Sequence, residues 1–235
     1  MKQELVKKIL NDTEKGYDLI AKKFSQTRNR FWKELEFIGR FSQKNDKILD
    51  FGCGNGRLLK ILKGKNIDYV GVDVSENLIN SAKNNFGNSN DFGGVNFLKI
   101  DNNFKHLPFQ NDSFDSIYSI AVFHHIPDDA KRLEIVKELY RLSKRDGYIV
   151  ITVWNLWNFK YRKNIFKNWE NKILGRSRLD WNDCRITFTD NEGRIFERYH
   201  HAFIKGELKR LFKKSGFRVL NCKIIKGNIV LVGKK

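Results

Sequence analysis

The sequence predicts an α/β fold: a doubly wound, mostly parallel sheet of seven strands with an antiparallel C-terminal strand, an N-terminal helical extension and an inserted basic, aromatic segment. Three observations predict it. Short apolar runs alternate with helical stretches through the middle of the chain, a glycine-rich turn follows the first of those runs, and two apolar runs separated by Lys226-Gly227 close the chain. Strands alternating with helices build a parallel sheet because each crossover carries the chain back to the same end.

Residues 2–42 read as helices, since Leu5, Ile9 and Leu10, then Tyr17, Ile20, Ala21 and Phe24, then Phe31, Leu35 and Ile38 recur at three- and four-residue spacing. From residue 46 the period changes. KILDF (47–51), IDYVGVDV (67–74), VNFLKI (95–100), SIYSIAVF (116–123) and YIVITVW (148–154) read as strands, with helical stretches at 56–63, 76–85 and 129–142. A basic, aromatic segment follows, then a hairpin of RITFTD (185–190) and RIFERYHH (194–201) turned by Asn191, Glu192 and Gly193. Helix GELKRLFKKSG (206–216) leads to strands FRVLNCKII (217–225) and NIVLVG (228–233), an expected antiparallel pair. At 235 residues the chain suits one domain. Its expected divisions are N-terminal helices (1–45), a central core (46–154), an insertion (155–205) and a C-terminal helix and strand pair (206–235).

Composition excludes several classes. Hydrophobic residues make up 40% and charged residues 31%, so a disordered polar tract is not suggested. No apolar run approaches the roughly 20 residues of a membrane helix, and the N-terminus MKQELVKKIL lacks the apolar core of a secretory signal. A cytoplasmic location and no membrane partner are expected. Cys53, Cys184 and Cys222 have no paired spacing, which argues against a disulfide framework and a zinc site; no metal site is expected.

Charge is distributed unevenly. The net charge is +18, yet residues 48–153 carry 13 basic and 13 acidic side chains, whereas 1–47 carry +5, 154–215 carry +8 and 216–235 carry +5. Genome-wide lysine and asparagine bias would not leave the middle neutral. A basic surface of this size implies a polyanionic partner, nucleic acid before membrane, because counterion release rewards each phosphate neutralised.

Asp50-Phe51-Gly52-Cys53-Gly54-Asn55-Gly56 lies between a predicted strand and a predicted helix, where open α/β sheets bind ligands. Glycines there turn the backbone sharply and let it approach a ligand, and the amides opening the next helix favour an anionic group. Asp73 ends the next strand about 20 residues later, where ribose hydroxyls need an acceptor. The dinucleotide fingerprint requires Gly where this chain has Arg57, which weakens a nicotinamide reading.

LDFGCGNG (49–56), VGVDVS (70–75) and KIDNN (99–103) together resemble the motifs of class I S-adenosylmethionine-dependent methyltransferases, whose sheet is Rossmann-like. The resemblance implies S-adenosyl-L-methionine as cofactor. It places Gly52, Gly54 and Gly56 beside the methionine moiety, Asp73 at the ribose hydroxyls, and Asp101 with Asn102 by the adenine amino group. Asp50 would orient the turn and meet the cofactor's ammonium, and Ile120, in the run FDSIYSIAVFHHI (114–126), would face the transferred methyl. For Asp101 a strand-end carboxylate satisfying loop amides is the competing reading.

YDLIA (17–21) leading to FSQTR (24–28), then SIAVFHHI (119–126), VITVWNLW (150–157) and RYHHAFIKGELKRL (198–211) resemble, in that order, the tRNA wobble-uridine carboxymethyl methyltransferases. This implies methyl transfer to the carboxylate of 5-carboxymethyluridine, with tRNA as partner and a small zinc-containing activator subunit as a further candidate partner. A carboxylate is already ionised and nucleophilic at neutral pH, so alignment matters more than a general base. Arg28, His124 and His125 are the catalytic candidates, Arg28 gripping a phosphate or the non-attacking oxygen. Arg28, Trp154, Trp157, Arg198, Tyr199 and His200 are the candidates for substrate binding.

From Trp154 to Trp181 seven aromatic residues interleave with seven basic ones, a composition suited to stacking bases and meeting phosphates. Core packing is expected for about half of these aromatics, and Lys209, Arg210, Lys213 and Lys214 read as an ordinary solvated helix face. Two other function classes compete: a methyltransferase for a small metabolite, and a non-catalytic RNA-binding module retaining the fold.

Overall fold

The computed structural model describes residues 1–28, 30–189 and 192–235. Its strands are β1 Lys47–Phe51, β2 Asp68–Asp73, β3 Gly94–Lys99, β4 Phe114–Ile120, β5 Ser143–Trp154, β6 Asp183–Thr189, β7 Ile195–His201, β8 Arg218–Ile225 and β9 Asn228–Lys234. The α-helices are α1 Gln3–Thr27, α2 Glu76–Phe86, α3 Asp129–Leu142, α4 Arg162–Ile173 and α5 Lys205–Lys214. Seven strands form one sheet in the order β3-β2-β1-β4-β5-β9-β8, and β6 with β7 form a separate two-stranded ribbon. Every pair from β3 to β5 is parallel, and β9 runs antiparallel to both β5 and β8.

The two-residue period of the strands sorts their side chains onto two faces. Leu49, Phe51, Val70, Val72, Ile117, Ile149, Ile151 and Leu231 belong to one core, which Ile135, Leu139 and Leu142 of α3 and Leu208 and Phe212 of α5 complete. Their neighbours Ile48, Tyr69, Tyr118, Val150, Val230 and Val232 belong to the other. That second face is covered by Ile79 and Ala82 of α2 and by two 3-10 segments, Lys33–Phe41 and Arg57–Ile61. Burial on both faces explains why β1 reads as a continuous apolar run rather than an alternation.

Two expected elements differ in kind. The helix expected over 56–63 is a 3-10 segment of five residues, because Gly56 enters it in the left-handed region at φ 78° and Leu62 ends it, which is too short for a stable α-helix. Residues 2–42 divide into α1 and the 3-10 segment Lys33–Phe41. The hairpin turn expected at Asn191, Glu192 and Gly193 lies partly outside the described residues, since Asn191 is not among them.

The insertion has a small core of its own, in which Leu156, Ile165, Cys184 and Ala202 are buried against Trp154, Trp157, Tyr161 and Trp169. Phe159, Phe166 and Trp181 are exposed. Four of the seven aromatics of this segment are therefore packed, close to the expected half. Among the described residues no helix is long and apolar enough to cross a membrane.

Candidate active site

The glycine turn leaves β1 at the end of the sheet where the parallel strands finish. Gly52 has φ +77°, and a Cβ on it would lie 2.3 Å from Val122 Cγ2; a Cβ on Gly56, at φ +78°, would lie 2.9 Å from Phe86 Cδ2. Only glycine fits either place. Asp73, ending β2, pins the turn: its Oδ2 accepts a hydrogen bond from Gly54 N at 2.8 Å and its Oδ1 one from Ser75 N at 2.9 Å. Burial raises its carboxyl above the ordinary range, and the backbone donors pull it back.

Asp50 is buried in β1 beside the turn. Its Oδ2 accepts from the Tyr69 hydroxyl at 2.7 Å, but its Oδ1 is buried with no partner. Burial pushes this carboxyl up to about 7, with the nearby Asp73 adding to the rise. Asp50 and Arg57 line one recess with Gly52, Cys53 and Gly54. The Arg57 guanidinium is held low, at about 10, by burial and by Arg28; it stacks 3.8 Å from the Trp32 ring centroid.

A larger cavity opens from this recess. Its walls include Gly52, Gly54, Asp73, Asn102, Ile120 and Ala121 from the strand ends, and Leu10, Thr13, Tyr17, Phe24 and Arg28 from α1 and its C-terminal cap. Those α1 positions lie three, four, seven and four residues apart, which puts them on one helix face. Polar ties fix α1 across the strand ends: Asp18 Oδ1 accepts from Ser75 Oγ at 2.6 Å, and Glu14 pairs with Lys99 at 3.1 Å. Ala121, directly after β4, is held at φ 62°.

Opposite the turn, Tyr17, His125, Trp154 and Arg198 complete the wall. His125 Nδ1 lies 3.1 Å from the carbonyl of Tyr199, which can only accept, so Nδ1 carries the proton and Nε2 accepts from the Tyr17 hydroxyl at 2.7 Å. Burial, reinforced by Arg198, holds His125 down to about 3, so this imidazole is neutral at physiological pH. Arg198 Nη1 donates to the Tyr17 oxygen at 3.3 Å, while its Nε is buried without a partner. Among the described residues neither Arg28, Arg57 nor Arg198 pairs with a carboxylate.

Several sequence candidates sit elsewhere. Asp101 is exposed and outside the cavity wall, its Oδ1 accepting from Asn103 N at 2.6 Å, which is the loop-amide role. Asn102 lines the cavity while its amide donates to Asn11 Oδ1 at 2.9 Å and to Glu14. His124 and His200 are buried behind Trp154, which stacks on both rings. Tyr199 is buried with its hydroxyl on Asp183, and Trp157 donates to the Ala202 carbonyl. None of these four lines the cavity. His124, His125 and His200 bring ring nitrogens within 4.8 Å of one another, a spacing that could hold a metal ion where no metal site was expected, although both His125 nitrogens are engaged.

Sequence reasoning missed Tyr17 and Arg57 as cavity residues. Arg57 carried a signal, a basic side chain one position past the glycine turn; for Tyr17 the signal was its place on the Leu10–Arg28 helical face.

Comparison with known proteins follows the same lines. A family model described as a methyltransferase domain matches residues 22–221. A candidate methyltransferase of Encephalitozoon cuniculi is 30% identical over 206 residues, covering 87% of this chain and 86% of its own. The tRNA (carboxymethyluridine(34)-5-O)-methyltransferase of Schizosaccharomyces pombe is 26% identical over 212 residues, covering 87% of each. Among solved structures, the candidate methyltransferase bound to the Haloferax volcanii Trm112 methyltransferase activator superposes with a TM-score of 0.66 at 18% identity, covering 94% of this chain and 96% of that one. With this family match over most of its length and the fold to accompany it, the chain belongs to the methyltransferase domain family, as a class I S-adenosylmethionine-dependent methyltransferase resembling the tRNA carboxymethyluridine enzymes.

Proposed function

We propose that this protein methylates a carboxylate on tRNA, that of 5-carboxymethyluridine at the anticodon wobble position, in the cytoplasm. The observation that carries the reading is the surplus of guanidinium groups on an aromatic-walled cavity: Arg28, Arg57 and Arg198 face it without carboxylate partners among the described residues. Unpaired cations in a largely desolvated wall favour anionic ligands.

The residues fit S-adenosylmethionine. Asp50 has a buried, unpartnered oxygen that would accept from the cofactor's ammonium, and Arg57, in the same recess, would meet its carboxylate. The crowding at Gly52 and Gly56 keeps the turn free of side chains, and Asp73, which lines the cavity, is the residue proposed to meet the ribose hydroxyls. When bound, the cofactor supplies a sulfonium-activated methyl group.

That assignment leaves Arg28 and Arg198 for the acceptor. Either guanidinium can hold one oxygen of the acceptor carboxylate while the other attacks. Transfer of the methyl from sulfur to the carboxylate oxygen would neutralise the opposite charges of sulfonium and carboxylate together and would release no proton. This accords with a neutral His125, which serves as a fixed acceptor that orients Tyr17 rather than as a base. An activator of the kind bound to the Haloferax volcanii neighbour is proposed as a partner.

The test is incubation of the protein, with and without such an activator, with methyl-labelled cofactor and tRNA bearing carboxymethyluridine. Label in an ester cleaved by mild alkali is the expected result. Its absence in both arms removes this acceptor; label transferred instead to small carboxylates supports a metabolite enzyme, and failure to bind S-adenosylhomocysteine supports a non-catalytic module.

A further inference from the structure

A second concave site lies on the other side of the β6–β7 ribbon. α4, the loop after it and the outer face of the ribbon enclose a polar groove lined by Lys167, Arg176, Arg178 and Arg185, with Glu197 as its one acid among the described residues. Lys167, Arg176 and Arg178 are exposed and Arg185 is half-buried. Among the described residues none of the four cations forms an ion pair or a side-chain hydrogen bond. Basic side chains on protein surfaces ordinarily find acids nearby, and this segment has few to offer: residues 154–215 carry a net +8.

The ribbon register decides how the groove relates to the cavity. Thr187 lies opposite Glu197 and Arg185 opposite Tyr199, so these four side chains share one face; Ile186 lies opposite Arg198 on the other. Arg198 faces the cavity and Glu197 the groove, one residue apart. An RNA strand with a splayed base in the cavity and its neighbouring phosphates in the groove would meet the two faces of this one ribbon.

We propose that the groove holds the phosphodiester backbone of the RNA acceptor a few nucleotides from the one that reacts. The inference rests on the RNA reading above and adds to it a second, base-independent contact. Phosphates suit this lining because it offers isolated cations and neutral amides rather than aromatic faces: Asn164 and Asn171 stand among the four basic residues.

The experiment compares tRNA binding, across a range of salt, by the unaltered protein and two fourfold variants. The first combines Lys167→Gln, Arg176→Gln, Arg178→Gln and Arg185→Gln. The second removes the same charge from the exposed face of α5, as Lys209→Gln, Arg210→Gln, Lys213→Gln and Lys214→Gln. The groove variant should bind about tenfold or more weakly near 50 mM salt, and its plot of log affinity against log salt should be shallower by about 2 to 3, since each single-strand phosphate that is no longer neutralised removes about 0.7 from the slope. The α5 variant should be weakened much less, and Glu197→Gln should tighten binding about two- to threefold. Thermal melts check that each variant folds; should the fourfold groove variant not fold, Lys167→Gln with Arg176→Gln should give about half the change in slope. Equal weakening in both fourfold variants, or an unchanged slope in the groove variant, overturns the proposal. An unaltered protein that binds tRNA no better than background overturns the RNA reading itself, and the groove proposal with it.

Discussion

Lowering the pH should destabilise this protein with a steepness set by its buried histidines. His124, His125 and His200 lie together, with Trp154 stacked on His124 and His200, and each is less than one-tenth exposed. Burial, aggravated by His125 and His200 around His124, keeps His124 neutral well below the ordinary imidazole range; His200 is depressed in the same way, and His125 falls to about 3. In the unfolded chain each binds a proton near pH 6.5. Unfolding therefore takes up as many as three protons, so this contribution is complete above about pH 6.5 and is lost as the pH falls toward the folded values. Asp50 opposes it: raised to about 7, it holds a proton when folded that unfolding releases until the pH falls to the ordinary carboxylate range, and Asp73 and Asp180 are raised too. His201 is raised despite its burial, by Asp183 at 2.7 Å and Glu207 at 2.6 Å, so below pH 6.5 it is protonated in both states and drops out. The balance is an uptake of about one to two protons, or about 1.4 to 2.7 kcal/mol lost per pH unit. For a domain at the low end of the usual range, about 5 kcal/mol, two to four units of acidification exhaust it. Urea unfolding at intervals from pH 7 to 4.5 measures the slope directly, and His200→Phe, which keeps an aromatic ring under Trp154, should reduce the uptake by about one proton. A stability that stays flat or rises on acidification would refute the assignment of these rings as buried and neutral.

Other outcomes follow from the site. Asp50→Asn should weaken S-adenosylhomocysteine binding about 10- to 100-fold by calorimetry. In the unaltered protein that affinity should fall about tenfold per pH unit below 7, since only ionised Asp50 meets an ammonium, and the Asn variant should lose this dependence. Gly52→Ala should cost about 2 to 4 kcal/mol, combining its φ of +77° with the approach of 2.3 Å to Val122; adding Val122→Ala should restore the steric part alone, and complete restoration would show that backbone strain contributes nothing. Arg28→Ala and Arg198→Gln should each lower turnover about 10- to 100-fold while changing cofactor affinity less than threefold, measured by steady-state kinetics beside calorimetry. Asp73→Ala should do the opposite, weakening the cofactor while sparing tRNA affinity.

The cofactor end of this site was legible because its chemistry dictates local sequence. A turn with three residues at positive φ demands glycines, and acids at the ends of consecutive parallel strands announce themselves by spacing. The acceptor end was legible only in part, because it is assembled from segments distant in sequence. Tyr17 meets His125 across 108 positions and Arg198 across 181, and nothing local to Tyr17 marks that meeting. His124 and His125 are adjacent in sequence yet differ in place, one behind Trp154 and one in the cavity wall, because the 3-10 turn Phe123–His125 rotates successive side chains by about a third of a turn. Asp101 illustrates the reverse: a strand-end acid in the expected position, whose carboxylate is spent on the loop that follows it.

The ribbon links the two basic features of this protein. Its period of two makes Arg198 a cavity residue and Glu197 a groove residue, and its pairing with β6 sets Arg185 beside that groove. A slip of one residue in β7 would exchange them, presenting a carboxylate to the cavity and a guanidinium to the groove, and would withdraw His200 from beneath Trp154. The register is held from its inner end, where Tyr199 and His201 both bond Asp183 Oδ1 and His201 also reaches Glu207 on α5. Because Asp183 lies in β6 and Glu207 on the body of the fold, these bonds fix both strands relative to the sheet. On the proposed reading this buried network sets the distance between the acceptor carboxylate and the RNA backbone, although it touches neither.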